Sequence, residues 1–367
     1  MLELDGCDGG GQMVRTAVAL SALSGEAVRV EDVRGDRPEP GMKPQHVAAV
    51  EAAAALCSAT VEGDTAGAGT LLFRPSEAGV GDSGEPTDRA SGRREQGERG
   101  LASGVGDSGE PTDPTEVTVD VDTAGSIALV FDTVLPLATA LTEPVSVTVT
   151  AGTDVKWAPP VDYLRYVKLP LLATAGLDAD LSVGSRGFYP LGGGEATLTL
   201  RPSTLEPLSA VDRGDLRRVE VHSVAAADLA DAEVAERQAA AAADRLDAAT
   251  PVGAEATYAE TDCAGSVVVL VAVYEGGRGG FTALGEAGKP SETVAAEAVD
   301  AFERFHEGAA AVDEHLADQL QVPLALAGGE VAAPEATAHV RTNRAVVEAF
   351  GHDLSVEQRG DRVVISG

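Results

Sequence analysis

The sequence predicts an α/β fold of the α+β kind. One pattern of helix, strand, helix and strand occurs three times along the chain, and a smaller βαββ-type segment interrupts it before the third copy. Length agrees: at 367 residues and 44% hydrophobic, the chain exceeds the ~250–300 residues at which one core stops growing, so two domains are expected. In each copy the first helix is nearly all apolar, as a helix lodged between a sheet and its neighbours must be.

The first copy reads QMVRTAVALSALSG, AVRVEDVR, KPQHVAAVEAAAALCS and ATVEG. After it, GVGDSGEPTD occurs at residues 79–88 and again unchanged at 104–113, within a stretch that has no apolar periodicity. Residues 77–114 are therefore expected to form a flexible low-complexity insert, a mobile loop between the strands TLLFRP and EVTVDVD. The second copy reads SIALVFDTVLPLAT, PVSVTVTAGT, VDYLRYVKLPLLATAG and DADLSVG. From 206 to about 290 the rhythm breaks into RRVEVHSV, an alanine-rich helix expected from Asp228 to Leu246, EATYAET and GSVVVLVAVYEG, which reads as an inserted α/β subdomain. Early acids (Asp228, Asp231, Glu233) and late arginines (Arg237, Arg245) suit that helix's dipole without requiring a function. The third copy reads HLADQLQVPLALAG, GEVAAPE, HVRTNRAVVEAFG and HDLSVEQ, so the large domain is expected over 1–205 and 291–367.

Composition sets the surroundings. There are 59 acidic and 27 basic side chains, a formal charge of −32, and the only lysines are Lys43, Lys156, Lys168 and Lys289. Such repulsion is tolerable where molar salt shortens the Debye length to ~3 Å, which points to a halophilic cytoplasm. The apolar periodicity argues against an acidic disordered chain. Cys7, Cys57 and Cys263 lie far apart with no CxxC, which disfavours structural zinc and a disulfide scaffold. The chain starts with the strand-like LEL, without a signal-peptide pattern, and no run reaches ~18 apolar residues, so a soluble cytoplasmic protein with no membrane contact is expected.

Four segments carry chemistry. In DGCDGGGQMVR, from Asp5 to Arg15, three glycines open a helix whose free N–H groups suit an anion, with Arg15 one turn inside. An ordinary turn with a solvated arginine is the alternative. VRGDRPEPGMKPQH gathers Arg34, Arg37 and Lys43 in a proline-stiffened loop, fit either for phosphate or for pairing with Glu31, Asp32, Asp36 and Glu39. TAHVRTN places His339 in a first helical turn, where the dipole favours neutral, nucleophilic imidazole; a local hydrogen bond is the bland reading. In HLADQLQVPLALA, Asp318 and Gln319 interrupt an apolar helix, so Asp318 needs a metal, an arginine or a capping role.

Together these segments resemble the RNA 3′-terminal phosphate cyclases over almost the whole chain apart from 77–114. The blocks GGGQxxR, RxxRPxPG, GFYPxGGG (Gly187 to Gly194), LADQL and HxxTN stand in family order and spacing. The resemblance implies three βαβαββ-type units with an inserted subdomain, and ATP-dependent conversion of an RNA 3′-phosphate to a 2′,3′-cyclic phosphodiester. It implies His339 as the nucleophile that takes AMP, phosphate and RNA contacts from Arg15, Arg34, Arg37, Gln45 and Lys43, and nucleotide contacts from His315, Asp318, Gln319, Pro159, Phe281, Gly9, Gly10 and Gly11. It also implies a divalent metal, magnesium or manganese, held in part by Asp8. Its partners would be ATP and an RNA with a 3′-terminal phosphate, and a homodimer is open. Three positions depart from the family pattern: Asp8 stands for a glutamate, His315 for a larger aromatic ring, and Pro44 for a basic residue. Two other readings remain: a noncatalytic cyclase-like RNA-binding protein of ribosome assembly, and an enolpyruvyl transferase-like enzyme.

Overall fold

The computed structural model describes residues 1–76, 79–80, 115–121, 123–246 and 250–367. The expected mobile loop at 77–114 lies, Gly79 and Val80 apart, outside them.

The first unit runs β1 (Leu2–Asp5), α1 (Gly10–Ser24), β2 (Val28–Glu31), α2 (Pro44–Cys57), β3 (Thr60–Glu62) and β4 (Leu71–Arg74). The second runs β5 (Thr115–Asp120), α3 (Ile127–Val134), β6 (Val145–Ala151), α4 (Val161–Tyr163), a π turn (Leu164–Lys168), α5 (Leu169–Ala173), β7 (Ala179–Ser185) and β8 (Gly194–Leu200). The third opens with β9 (Leu208–Ala210) and is then interrupted by β10 (Leu216–Ala226), α6 (Val234–Arg245), β11 (Val252–Ala259), β12 (Ser266–Tyr274), β13 (Arg278–Gly285) and α7 (Ser291–Glu307). It resumes with α8 (Glu314–Gln319), α9 (Gln321–Ala327), β14 (Gly329–Ala333), α10 (Ala338–Ala349), β15 (Ser355–Arg359) and β16 (Arg362–Ser366).

Three sheets share one plan, β1-β2-β4-β3, β5-β6-β8-β7 and β9-β14-β16-β15. In each, the first two strands are parallel and the other pairings antiparallel, which makes each a βαβαββ unit. Helix α1 packs on α2, α3 and α10, and its residues from Met13 to Ala22 are buried, which explains its largely apolar sequence.

The π turn has a local cause. Pro170 has no N–H and its ring crowds the carbonyl four residues back, so α-helical bonding fails there. The carbonyl of Tyr166, the one that Pro170 would have met, accepts instead from Arg278 Nη1 on β13. The turn buries Lys168, whose ammonium pairs with Asp132.

The inserted sheet has another order, β11-β10-β12-β13. All nine residues of β12 are buried, and the pleat explains why. Val267, Val269, Val271 and Val273 face the main core, while Val268, Leu270, Ala272 and Tyr274 face a second core with α6 and α7. A strand covered on both faces reads as an unbroken apolar run.

Two expectations shift. The helix expected from Asp228 starts at Val234, because Glu233 is left-handed (φ 50°) and Ala227–Ala232 form a 3-10 turn. The insert was expected at 206–290, yet β9 pairs with β14 in the third sheet and Val294, Ala298, Val299, Phe302 and Phe305 of α7 join the second core, so its packing runs from after Ala210 to Glu307.

One buried carboxylate ties the parts together. Asp313 caps α8 by accepting from the N–H groups of His315 (2.8 Å) and Leu316 (3.0 Å), and also accepts from Gly280 N–H on β13 (2.8 Å) and Tyr163 Oη (2.8 Å). Asp313→Ala leaves three buried donors and one part-buried donor without an acceptor and is expected to lower stability by about 3 kcal/mol in urea melts at fixed salt, with Asp313→Asn losing less. Equal, small losses for both would show that the carboxylate is not the joint.

Candidate active site

The site forms where the first turns of α1 and α10 meet the end of α8. Gly10 takes φ 61°, and a Cβ on Gly11 would lie 1.8 Å from His46 Nε2, so glycine is needed for this close approach. Gly9 is the residue preceding α1. One turn on, Arg15 is buried, with its Nε lacking any hydrogen-bond partner. Burial pushes its guanidinium down to about 10, offset in part by the charge of Asp318. An arginine without solvent or a paired carboxylate is a vacancy for an anion. The solvated-arginine reading therefore fails.

Asp318 is held from several sides. Its carboxylate accepts from Gln12 Nε2 (3.2 Å) and lies 3.0 Å from His339 Nδ1, and its carbonyl accepts from Asn343 Nδ2 (2.9 Å). Asn343 Oδ1 accepts in turn from Thr16 Oγ1 (2.8 Å). The cap of α8 is Asp313, so Asp318's carboxylate is free to serve the histidine. His339 stands in the first turn of α10 behind Thr337, whose hydroxyl caps the helix by accepting from Val340 N–H. The imidazole is 64% exposed, and its contact with Asp318 crosses between helices, contrary to the bland expectation of a local bond. Nδ1 faces the carboxylate, which favours the tautomer with the proton on Nδ1, and Nε2 has no hydrogen-bond partner among the described residues.

Among the described residues, the loop after β2 leaves its two arginines without a carboxylate but pairs Lys43 with an acid. Glu31 pairs with Arg29 (2.8 Å), Glu39 with Lys43, and Asp36 accepts from Cys7 Sγ (3.2 Å). Arg34 donates to the carbonyls of Glu39 (2.9 Å) and Gly41 (3.0 Å), which fixes the loop, and it takes φ 58°. Arg37 Nη2 would lie 3.6 Å from a Cβ on Gly10, beside the glycine turn. Neither Arg34 nor Arg37 has a carboxylate partner among the described residues. Gln45 sits further along: its Oε1 accepts from Ser126 N–H (3.4 Å) at the start of α3, bringing the second unit to the site's edge.

Asp8, Asp36 and Cys7 place their ligand atoms within 4.8 Å of one another. The hydrogen bond and charge of Asp36 raise the Asp8 carboxyl above its usual range, as expected of two carboxylates this close, and a cation between them would relieve that repulsion. Paired oxygens suit magnesium or manganese.

The remaining expected residues are spread out. Gln319 lines a small cleft with Gln12, Arg15, Asp132 and Asp318. The half-exposed His315 ring meets Tyr163 edge to face (centroids 6.2 Å), and Pro159 is half-buried in the loop before α4. Phe281 is not brought to the site: it is buried against Phe302 and Phe305 in the second core.

His46 is the residue that sequence reasoning passed over. It is buried, its Nδ1 accepts from Lys43 N–H (3.0 Å), and burial with Arg15, Arg34 and Lys43 pushes it down to about 3. It is the neutral floor under three cations.

A family model described as RNA 3′-terminal phosphate cyclase matches residues 7–353. A Halobacterium salinarum protein named RNA 3′-terminal phosphate cyclase is 48% identical over 368 residues, covering 100% of this chain and 99% of its own length. Proteins of the same name from Methylococcus capsulatus (38% identical, covering 96% of this chain and 91% of theirs) and Archaeoglobus fulgidus (35%, covering 100% of both) are also similar. No helix among the described residues is long and apolar enough to cross a membrane.

His46 makes stability depend on pH. Its folded value lies below the ordinary 6.5, so the unfolded chain binds the extra proton first, and stability present above pH 6.5 is lost as pH falls toward 3. Between pH 7 and pH 5 the loss is expected to be on the order of 2 kcal/mol. His46→Asn, which keeps an acceptor near Nδ1, is expected to flatten that slope in melts taken at both pH values; an unchanged slope would mean another group dominates.

Proposed function

Since the chain belongs to the RNA 3′-terminal phosphate cyclase family, we propose that it uses ATP to close an RNA 3′-terminal phosphate into a 2′,3′-cyclic phosphodiester, with His339 as the nucleophile. The observation that carries this reading is the 3.0 Å contact of His339 Nδ1 with Asp318, which leaves Nε2 free on an exposed imidazole.

A terminal phosphate carries no leaving group, so the neighbouring 2′-OH cannot displace anything from it. His339 Nε2 attacks the α-phosphorus of ATP and expels pyrophosphate, leaving AMP on histidine as a phosphoramidate. Asp318 balances the positive charge that grows on the ring. An oxygen of the RNA phosphate then attacks the AMP phosphorus and releases His339. The 2′-OH attacks the 3′-phosphorus, loses its proton, and AMP departs. Arg15, with its unpartnered Nε, and Arg37, without a carboxylate, are placed to take phosphate oxygens, while Arg34 stiffens the loop that carries them. Asp8 and Asp36 would hold a divalent cation, which supplies charge neutralisation at phosphate oxygens when bound. The RNA-binding and enolpyruvyl transferase alternatives leave the His339–Asp318 pair without a task.

Intact mass after incubation with ATP and magnesium or manganese at high salt is expected to show one added AMP, mapped to His339 and absent from His339→Ala. The bond is labile to acid, stable to alkali, and discharged by RNA with a 3′-phosphate. An adduct on His46, His315 or a lysine would sink the assignment of the nucleophile, and none under any metal would favour the noncatalytic reading. Arg37→Ala is expected to raise the KM for the 3′-phosphorylated RNA by roughly ten- to a hundredfold, the range of a lost charge-assisted bond. An unchanged KM would exclude phosphate contact by Arg37.

A further inference from the structure

Apart from Met1, the exposed large apolar side chains among the described residues are Trp157 (88%), Leu191 (57%) and Tyr189 (41%). They come from two loops that meet at one place. The rings of Trp157 and Tyr189 stand edge to face with centroids 6.0 Å apart, and Lys156 Nζ lies 5.2 Å from the centre of the Tyr189 ring. Beside them opens a cavity of about 480 Å³ between the second unit and the inserted subdomain; Phe188, Tyr189 and Pro190 line it on one side and Leu284 and Ser266 on the other. Lys156 and Lys289 also line it. The chain has four lysines, and two of them are here.

The platform is rigid and joined to the candidate active site. Arg186, just before the second loop, pairs with buried Asp154 (3.2 Å) and Asp162 (2.5 Å), and Thr153 Oγ1 accepts from Gly187 N–H (2.9 Å). A Cβ on Gly192 would sit 3.1 Å from Ala124 Cα, and one on Gly125 would sit 3.2 Å from Gln45 Cβ. The loop that carries Tyr189 is therefore packed against the turn before α3, which is packed in turn against Gln45.

We infer that Trp157 and Tyr189 stack bases of the unpaired RNA segment that leads to the 3′-phosphate, the lysines beside them being paired with acids, Lys156 with Glu286 and Lys289 with Glu297; this rests on the proposed RNA substrate. Stacking suits this chain. Phosphate contacts weaken as salt rises, whereas the face of a ring meets the face of a base without displacing ions. A protein of charge −32 that must hold an RNA at high salt gains more from rings than from a basic groove. The buried pairs of Arg186 with Asp154 and Asp162 fix the backbone from which the Tyr189 loop starts, so less of that loop has to be ordered on binding.

The chain has a single tryptophan, so its fluorescence reports on this place alone. A 3′-phosphorylated single-stranded RNA of roughly ten nucleotides, within the usual site size of such binders, is expected to quench Trp157 and to keep doing so at molar salt. A nucleoside 3′-phosphate and ATP are each expected to leave the emission unchanged. Trp157→Ala is expected to raise the KM for the oligonucleotide at least about fivefold, the low end for loss of one stacked base, while the KM for the nucleoside 3′-phosphate and AMP loading from ATP stay the same; Trp157→Phe restores most of the loss. Quenching by ATP but not RNA would make Trp157 part of a nucleotide site and overturn the inference. So would emission that changes with protein concentration and not with RNA, the mark of a face between two copies. Quenching by RNA in a protein that takes no AMP would sustain the stacking site and refute the catalytic reading; AMP loading without quenching would do the reverse.

Discussion

Asp318 makes one site out of the first and third repeated units. Its carboxylate is shared between Gln12 on α1 and His339 on α10, and its carbonyl holds Asn343, which accepts from Thr16 on α1. The glycine turn of the first unit cannot slide against the histidine of the third without breaking this ring of bonds together. The same carboxylate is the opposite charge that offsets the burial of Arg15. Buried cations without partners are unfavourable by several kcal/mol, so a fold keeps one only where its neighbours, and an incoming anion, compensate.

The inserted subdomain depends on a comparable sharing. β12 gives one face to each core, and Asp313 collects donors from β13, α4 and α8, so the insert is welded to the second and third units by apolar and polar contacts alike. This also places the cavity at Lys156 and Lys289 beside a firm joint.

Much of this was legible in the sequence because it is local. The apolar first helices, the alternating strands and the glycine turn are written in consecutive residues, and they gave the three-unit plan. What was not legible depends on distance along the chain. The carboxylate and imidazole of Asp318 and His339 meet across 21 residues and Thr16 and Asn343 across 327, and no spacing rule links them. His46 looks like any polar residue at a helix start until Gly11 is seen to make room for it. Phe281 fails for the opposite reason: a ring on a strand has two faces to choose from, and here the pleat turns it to α7. The Glu233 break escaped because an alanine-rich sequence has helix propensity on both sides of it.

The acidic surface and the cationic site coexist because their forces have different ranges. Exposed pairs such as Arg201–Asp178 and Arg344–Glu348 are worth ~0–1 kcal/mol at most and fade with salt. Contacts at hydrogen-bond distance in a site closed to water are screened far less. Arg15 is buried, and Lys168 and Arg186 are held in buried or part-buried pairs, while Arg34 is fixed to its own backbone. Screening that removes the repulsion of 59 acids therefore leaves these short contacts largely intact. Selectivity in such a chain must come from shape and direct contact, because at molar salt no field reaches further than about 3 Å.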